Sequence, residues 1–203
     1  MTKLILASSS LTRKTMLQRT GVKFLQINPN VEEVTLRSHC VSNNLQVSDI
    51  ATYIAAAKAS KVSKKYPQSI VIGADQLLHQ DGTLFGKPKH RGEAEDQLRS
   101  LSGDDHFLTT AAVAWLNNQQ IWSHEDRAMM SVRPLDEASI KSYLDSIGDA
   151  AYHSVGAYQL EGLGVRLFEG IDGDFFSILG LPLFPLMKFL RGEECNRLVS
   201  IEG

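Results

Sequence analysis

The sequence predicts an α/β fold on a mixed sheet, and three observations carry the prediction. Short apolar runs of strand length, Leu4-Ile5-Leu6-Ala7 and Ser69-Ile70-Val71-Ile72-Gly73, interleave with longer segments of helical period. A long β-hairpin reads from residues 107–116, the dipeptide Asn117-Asn118 and residues 121–132, which sets aside a wholly parallel sheet. Composition is that of a globular chain: 43% hydrophobic and 22% charged over 203 residues, long enough to bury a core without a metal or disulfide staple. No internal repeat divides it, so residues 1–203 are expected to form a single domain, or two lobes sharing one core.

Taken in order, residues 4–7 form a buried strand, and Ser8-Ser9-Ser10 offers capping hydroxyls to a helix on which Arg13, Met16 and Leu17 fall at helical spacing. Gly21 closes that helix as its C′ residue, and residues 22–27 alternate as a second strand. Residues 28–46 have no clean period and are expected to be a long loop. Ser48 and Asp49 open the strongest helix, carried by Ile50, Tyr53, Ile54, Ala57 and Lys61 and stopped near Pro67, with Ala55-Ala56-Ala57 predicting close packing. The apolar strand 69–73 should deliver Ala74, Asp75 and Gln76 at its carboxyl end, and Asp81-Gly82 signals a hairpin turn. Residues 93–101 are a helix ended by Gly103, and 136–147 a capped helix. The last third is expected to mix short strands with glycines before a helix over 182–190.

Several function classes fall away. With 21 Lys plus Arg against 23 Asp plus Glu, the net charge of −2 leaves no whole-domain basic field for nucleic acid, despite the local cluster Lys58, Lys61, Lys64 and Lys65. Two cysteines, Cys40 and Cys195, without a CxxC or a neighbouring histidine argue against structural zinc and a disulfide scaffold, and point to a reducing cytoplasm. The run 4–7 is too short for a signal-peptide core, and no apolar stretch is long enough to span a membrane. Gly82 to Pro88 imitates a P-loop but is one residue short and has Pro88 where Ser or Thr should bind magnesium. Gly162-Leu163-Gly164 lacks the third glycine of a dinucleotide fingerprint, and no G-x-S-x-G elbow is present.

What remains is a set of charged groups at element edges. Ser8, Ser10 and Arg13 put hydroxyls, open N–H groups and a guanidinium at a helix N-terminus, the recipe for holding a phosphate, although a plain capped helix with an exposed arginine fits as well. Lys58 lies among small residues that would let it project, and Lys87 is fixed between Gly86 and Pro88. Asp75, an acid directly after an apolar strand, should sit half-buried unless it binds something. Glu32 and Glu33, if they face Asp75, would complete an oxygen-rich magnesium or manganese site. Cations and carboxylates around a helix N-terminus suit metal-assisted chemistry on a polyphosphate.

The series Leu6-Ala7-Ser8-x-Ser10-x-x-Arg13, Lys58-Ala59, Gly73-Ala74-Asp75, Gly86-Lys87-Pro88, Leu101-Ser102-Gly103, Gly156-Ala157-Tyr158 and Gly180-Leu181-Pro182-Leu183 resembles the Maf family, in the family's order over nearly the whole chain. The resemblance implies a Maf/ITPase-like two-lobed α/β fold, with a mixed central sheet flanked by helices and a cleft between lobes, often as a homodimer. It implies a cytoplasmic nucleoside triphosphate pyrophosphatase that cuts between the α and β phosphates, cleanses the nucleotide pool, and uses a divalent cation, magnesium or manganese. By residue, it implies that Asp75 activates water, that Ser8, Ser10, Arg13, Lys58 and Lys87 bind phosphates, and that Glu33, with Glu32 beside it, joins Asp75 at the metal. Leu11-Thr12 stands where most relatives have Pro-Arg, which makes Thr12 a specificity position. Gln76 and Glu161 look like the subgroup acting on 7-methyl-GTP, where a carboxylate would attract the cationic methylated base, although it would equally suit the N–H edge of unmodified guanine. A nucleotide-binding regulator of division without turnover is the other class the resemblance leaves open.

Overall fold

A computed structural model of the protein describes residues 3–192 and Cys195; the remainder of the expected 1–203 domain lies outside the described residues. The described chain forms two compact units, one holding the chain up to Gln76, Thr110–Asp126 and the chain from Gly180, the other Leu77–Thr109 and Arg127–Leu179. The fold is the expected mixed α/β arrangement. Its seven-stranded sheet among the described residues has the order β2-β1-β3-β5-β6-β7, with β4 on β3.

In the first unit, β1 (Leu4–Ala7) is buried along its whole length and parallel to both neighbours, which is why all four residues are apolar. Ser10 caps α1 (Leu11–Arg19), its Oγ accepting the Arg13 N–H at 3.2 Å. Gly21 follows with φ +78°, its N–H on the Gln18 carbonyl, as a C′ residue should. The second strand, β2 (Phe24–Ile27), is shorter than the alternation suggested and pairs with β1 from Leu4↔Phe24 to Ala7↔Ile27.

Two expectations need correction here. The stretch expected to be a loop contains α2 (Glu33–Ser42); Cys40 is its one buried residue and its N-cap, Glu32, makes no side-chain capping bond, so neither period nor cap announces it. The second concerns Asp75, which is not at a strand end: β3 (Ile70–Gln80) runs on because a second partner takes over. Beyond the stretch paired with β1, from Leu4↔Ile70 to Ala7↔Gly73, β3 is met antiparallel by β4 (Thr83–Phe85) across Asp81-Gly82, whose φ of +47° and +78° give a two-residue hairpin turn. Asp75 still stands just past the carboxyl end of β1.

The helix α3 (Val47–Ser63) buries Ile50, Ala51, Ile54, Ala55, Lys58, Ala59 and Val62, one face at helical spacing with a lysine in it. A Cβ on Gly73 would lie 2.2 Å from the Ala55 carbonyl oxygen and 2.9 Å from the Ala59 Cβ, so α3 lies directly on β3 because these residues are small. Also in this unit, α7 (Leu183–Leu190) starts one residue later than expected, with Pro182 as its N-cap.

The second unit carries α4 (Arg91–Leu101), which starts before the expected Glu93 because the His90 ring caps it. The hairpin strands β5 (Asp105–Leu116) and β6 (Gln119–Val132) turn through Asn117-Asn118, both at positive φ, and thread both units. Asp136 caps α5 (Glu137–Ile147) as predicted. Then come three short 3-10 segments, one strand, β7 (Phe168–Asp172), and the short α6 (Phe175–Ile178), rather than several strands. Among the leucines and aromatics of this unit's core, His106 is fully buried, its Nε2 2.7 Å from the Tyr158 hydroxyl.

Two outcomes follow. Gly73→Ala should destabilise the protein by about 1–3 kcal/mol, the cost of overpacking against backbone, in urea unfolding; an unchanged midpoint would mean that α3 does not touch β3 there. Burial pushes the His106 imidazole down to about 4 from 6.5. Between these values the unfolded chain binds a proton that the folded protein refuses, so stability falls as pH drops from 6.5 toward 4, by about 3 kcal/mol from this group. His106→Gln should flatten that fall in urea unfolding at pH 7 and 4.5, and an equal fall in both proteins would contradict it.

Candidate active site

The chain leaves β1 through Ser8, Ser9 and Ser10 into the first turn of α1. Ser8 is buried, and its Oγ accepts the Ser10 N–H at 3.2 Å. A residue that the sequence reading missed shapes this turn: Gln26 on β2 donates its Nε2 N–H groups to the carbonyls of Ser8 (2.9 Å) and Ser10 (3.2 Å). In a trans peptide the N–H points opposite to the C=O. Gln26 therefore turns the N–H groups of Ser9 and Leu11 away from itself, beside the open N–H groups of the helix N-terminus. Nothing in a half-buried strand position signals such a role. Thr12 sits half-buried in the same turn.

Arg13 is not the exposed arginine of the plain reading. Its Nε donates to the Gly180 carbonyl at 2.6 Å and its Nη1 to the Ala74 carbonyl at 3.1 Å. Gly180, at φ +98°, has no Cβ to meet the guanidinium, which would stand 3.2 Å away. Burial lowers the Arg13 pKa, and the charges of Asp75 and Glu33 work against that shift.

Lys58 projects from the buried face of α3. Its Nζ lies 2.7 Å from Asp75 Oδ1, 2.8 Å from Glu33 Oε1 and 3.4 Å from the Ala74 carbonyl. The Lys58 and Asp75 side chains are each 4% exposed, and that of Glu33, the first residue of α2, is 42% exposed. Asp75 Oδ2 is buried without a hydrogen-bond partner among the described residues. Gln76, next in the strand, donates to Thr110 Oγ1 at 2.9 Å.

The structure thus brings together Ser8, Ser10, Arg13, Lys58, Asp75 and Glu33, all in the first unit. Glu32 does not join them; it lines a shallow groove with Leu36, Ala57, Lys61 and Lys64. Lys87 and Glu161 belong to the second unit. Lys87 is exposed next to the buried Pro88, on a segment held where Gln97 donates to the Gly86 carbonyl at 2.9 Å. Glu161 is exposed in a turn closed by the Gly162 and Gly164 N–H groups on the Gln159 carbonyl, so the desolvation that would strengthen its pull on a cationic base is not built around it within that unit.

A sequence model of the family described as "Maf-like protein" matches residues 3–193. The chain belongs to the Maf family. It is 42% identical over 193 residues to the 7-methyl-GTP pyrophosphatase of Brucella suis biovar 1 (strain 1330), covering 95% of this chain and 97% of that protein. It is 44% identical over 191 residues to the nucleoside triphosphate pyrophosphatase of Bradyrhizobium diazoefficiens, covering 94% of each, and 45% identical over 186 residues to that of Hyphomonas neptunium, covering 92% and 93%.

Among the described residues of this Maf protein no group of three or more Asp, Glu, His or Cys could hold a metal ion. Two carboxylates suffice, however, for a magnesium-like ion that takes its other ligands from water and substrate phosphates. The Asp75 and Glu33 carboxylates, brought together at Lys58, fit that requirement. No helix of the described residues is long and apolar enough to cross a membrane, and both Cys40 and Cys195 are buried thiols outside any disulfide.

Arg13→Lys keeps the charge but cannot reach two carbonyls on separate segments with a planar fork. It should cost about 1–3 kcal/mol in thermal or urea unfolding for the carbonyl left unsatisfied. Wild-type stability in that variant would remove the strut.

Proposed function

We propose that this Maf protein is a nucleoside triphosphate pyrophosphatase, a cytoplasmic hydrolase that cuts between the α and β phosphates and so clears unwanted nucleotides from the pool. The observation that carries this reading is the buried Asp75 carboxylate, one oxygen held by Lys58 and the other without a partner among the described residues, next to Ala74, whose carbonyl accepts from Arg13 of α1. Names of relatives similar along almost their whole length support it.

In this mechanism the unpartnered Asp75 Oδ2 accepts a hydrogen bond from water, orients it and takes its proton as the oxygen adds to phosphorus. The bond from that phosphorus to the bridging oxygen breaks, and pyrophosphate leaves with the bridging oxygen. N–H groups of Ser9, Leu11 and Thr12, the Ser8 and Ser10 hydroxyls and the Arg13 Nη2 amine face charge on the phosphoryl oxygens and are fixed before the reaction starts. The family likeness gives Lys87, in the second unit, a role at the phosphates as well. A divalent cation held by Asp75 and Glu33 would supply charge neutralisation at the phosphates. The family likeness gives the base to Thr12, Gln76 and Glu161, and 7-methyl-GTP is the finer reading of that likeness.

Incubation with a panel of nucleoside triphosphates, including GTP, UTP, dTTP and 7-methyl-GTP, should release pyrophosphate and the matching monophosphate. Asp75→Asn should lower that rate by about 10²–10⁴-fold in protein whose fold is checked by circular dichroism, Glu33 still neutralising Lys58. Orthophosphate as the product, full activity in Asp75→Asn, or binding without turnover across the panel would each overturn the proposal, and preference for 7-methyl-GTP over GTP would establish the finer reading.

A further inference from the structure

A lysine ammonium has three N–H donors. Lys58 directs them at Asp75 Oδ1, Glu33 Oε1 and the Ala74 carbonyl, at 2.7, 2.8 and 3.4 Å, from a side chain that is 4% exposed. In this arrangement no donor of Lys58 is left for a phosphate, which is the role the family likeness implies for it. The two carboxylates it holds are the pair that fits a divalent cation, and Asp75 still has one buried oxygen without a partner among the described residues.

We propose that Lys58 is a built-in counter-ion that holds Asp75 and Glu33 until a divalent cation takes the pair, and that only a Lys58 so displaced has N–H donors for the substrate's phosphates. The inference rests on the metal-assisted reading of the site and adds to it a coupling between cation and substrate. An ammonium and a divalent ion sharing two carboxylates repel each other in a poorly solvated place, so one of them moves. The group able to move is the lysine, whose four-carbon stem is flexible, while Asp75 is fixed in β3. Glu33 can follow a newcomer, because its side chain is 42% exposed at the first turn of α2. Once the ammonium leaves the carboxylates, its N–H donors join those of Arg13 at a polyphosphate.

The test uses the metal alone. In wild-type protein labelled with ¹⁵N and ¹³C in its lysines, the Lys58 ammonium resonance is assigned through its own side-chain carbons. Without metal its protons should exchange slowly with water; saturating Mg²⁺ should shift the resonance and remove that protection. In Lys58→Met, Mn²⁺ should bind about tenfold or more tighter than in wild type by calorimetry. A Lys58 resonance unmoved at saturation, Mn²⁺ affinity equal or weaker in Lys58→Met, or no Mg²⁺ and Mn²⁺ binding at all would each overturn the inference; the wild-type resonance decides it even where Lys58→Met does not fold. A protein that releases pyrophosphate while Lys58 stays in place refutes this inference alone. One that frees Lys58 yet hydrolyses no nucleotide refutes the function alone.

Discussion

A buried ammonium must be neutralised where it lies, and the first unit is organised around that constraint at Lys58. Removing one partner of a buried ion pair leaves an uncompensated charge and costs several kcal/mol. The partners come from different elements: Lys58 from α3, Asp75 from β3, Glu33 from the start of α2. None of these elements can shift without disturbing the pair of bonds at Nζ. The contact of Gly73 with Ala55 and Ala59 sets the distance: Lys58 precedes Ala59 by one residue, and Asp75 follows Gly73 by two. With Arg13 included, two cations face two carboxylates, so the assembly is close to neutral on its own. A divalent cation would leave it with an excess of positive charge that an anionic polyphosphate can balance.

The place of this assembly follows from strand order. β1 lies between β2 and β3, parallel to both; the chain leaves β1 through α1 toward β2, whereas β3 continues on the other side toward β5. β1 stops opposite Gly73 while β3 runs on to Gln80, so the sheet has a step at the carboxyl end of β1. Ser8 and Ser10 leave β1 at that end, and Asp75 stands just past it on β3. Gln26, one residue before the end of β2, ties the Ser8–Ser10 turn to the third strand of the group.

Much of this was legible in the sequence, because apolar strands, capping residues and turn dipeptides act locally. Ser10, Gly21, Asp81-Gly82, Asn117-Asn118 and Asp136 each do what their chemistry dictates, and the mixed sheet follows from them. The misses lie where the local pattern carries no signal. β3 continues past Asp75 although β1 has ended, and β4 pairs with it from Leu78 on; α2 forms without a capping bond and with a single buried residue, Cys40; Arg13 is half-buried, held by the Gly180 carbonyl from near the other end of the chain. Glu32 and Glu33 read as equivalent acids, and only the start of α2 separates them, giving one to Lys58 and the other to a groove.

The peptide between Ala74 and Asp75 shows how these distant partners set the chemistry. β1 ends opposite Gly73, so its regular pairing with β3 stops one residue before Ala74. The Ala74 carbonyl is instead approached by two cations, Arg13 Nη1 at 3.1 Å and Lys58 Nζ at 3.4 Å. Fixing that carbonyl fixes the plane of the peptide and with it the direction of the Asp75 N–H and the place of its Cα. A catalytic carboxylate must be aimed as well as ionised, since small errors of position are expensive in rate. Of the two cations, Arg13 is the one whose planar guanidinium also grips Gly180, so it can hold the peptide while Lys58 changes partners. Two basic residues that look interchangeable in the sequence thus divide the work, one as a fixed strut behind Asp75 and one as the charge in front of it.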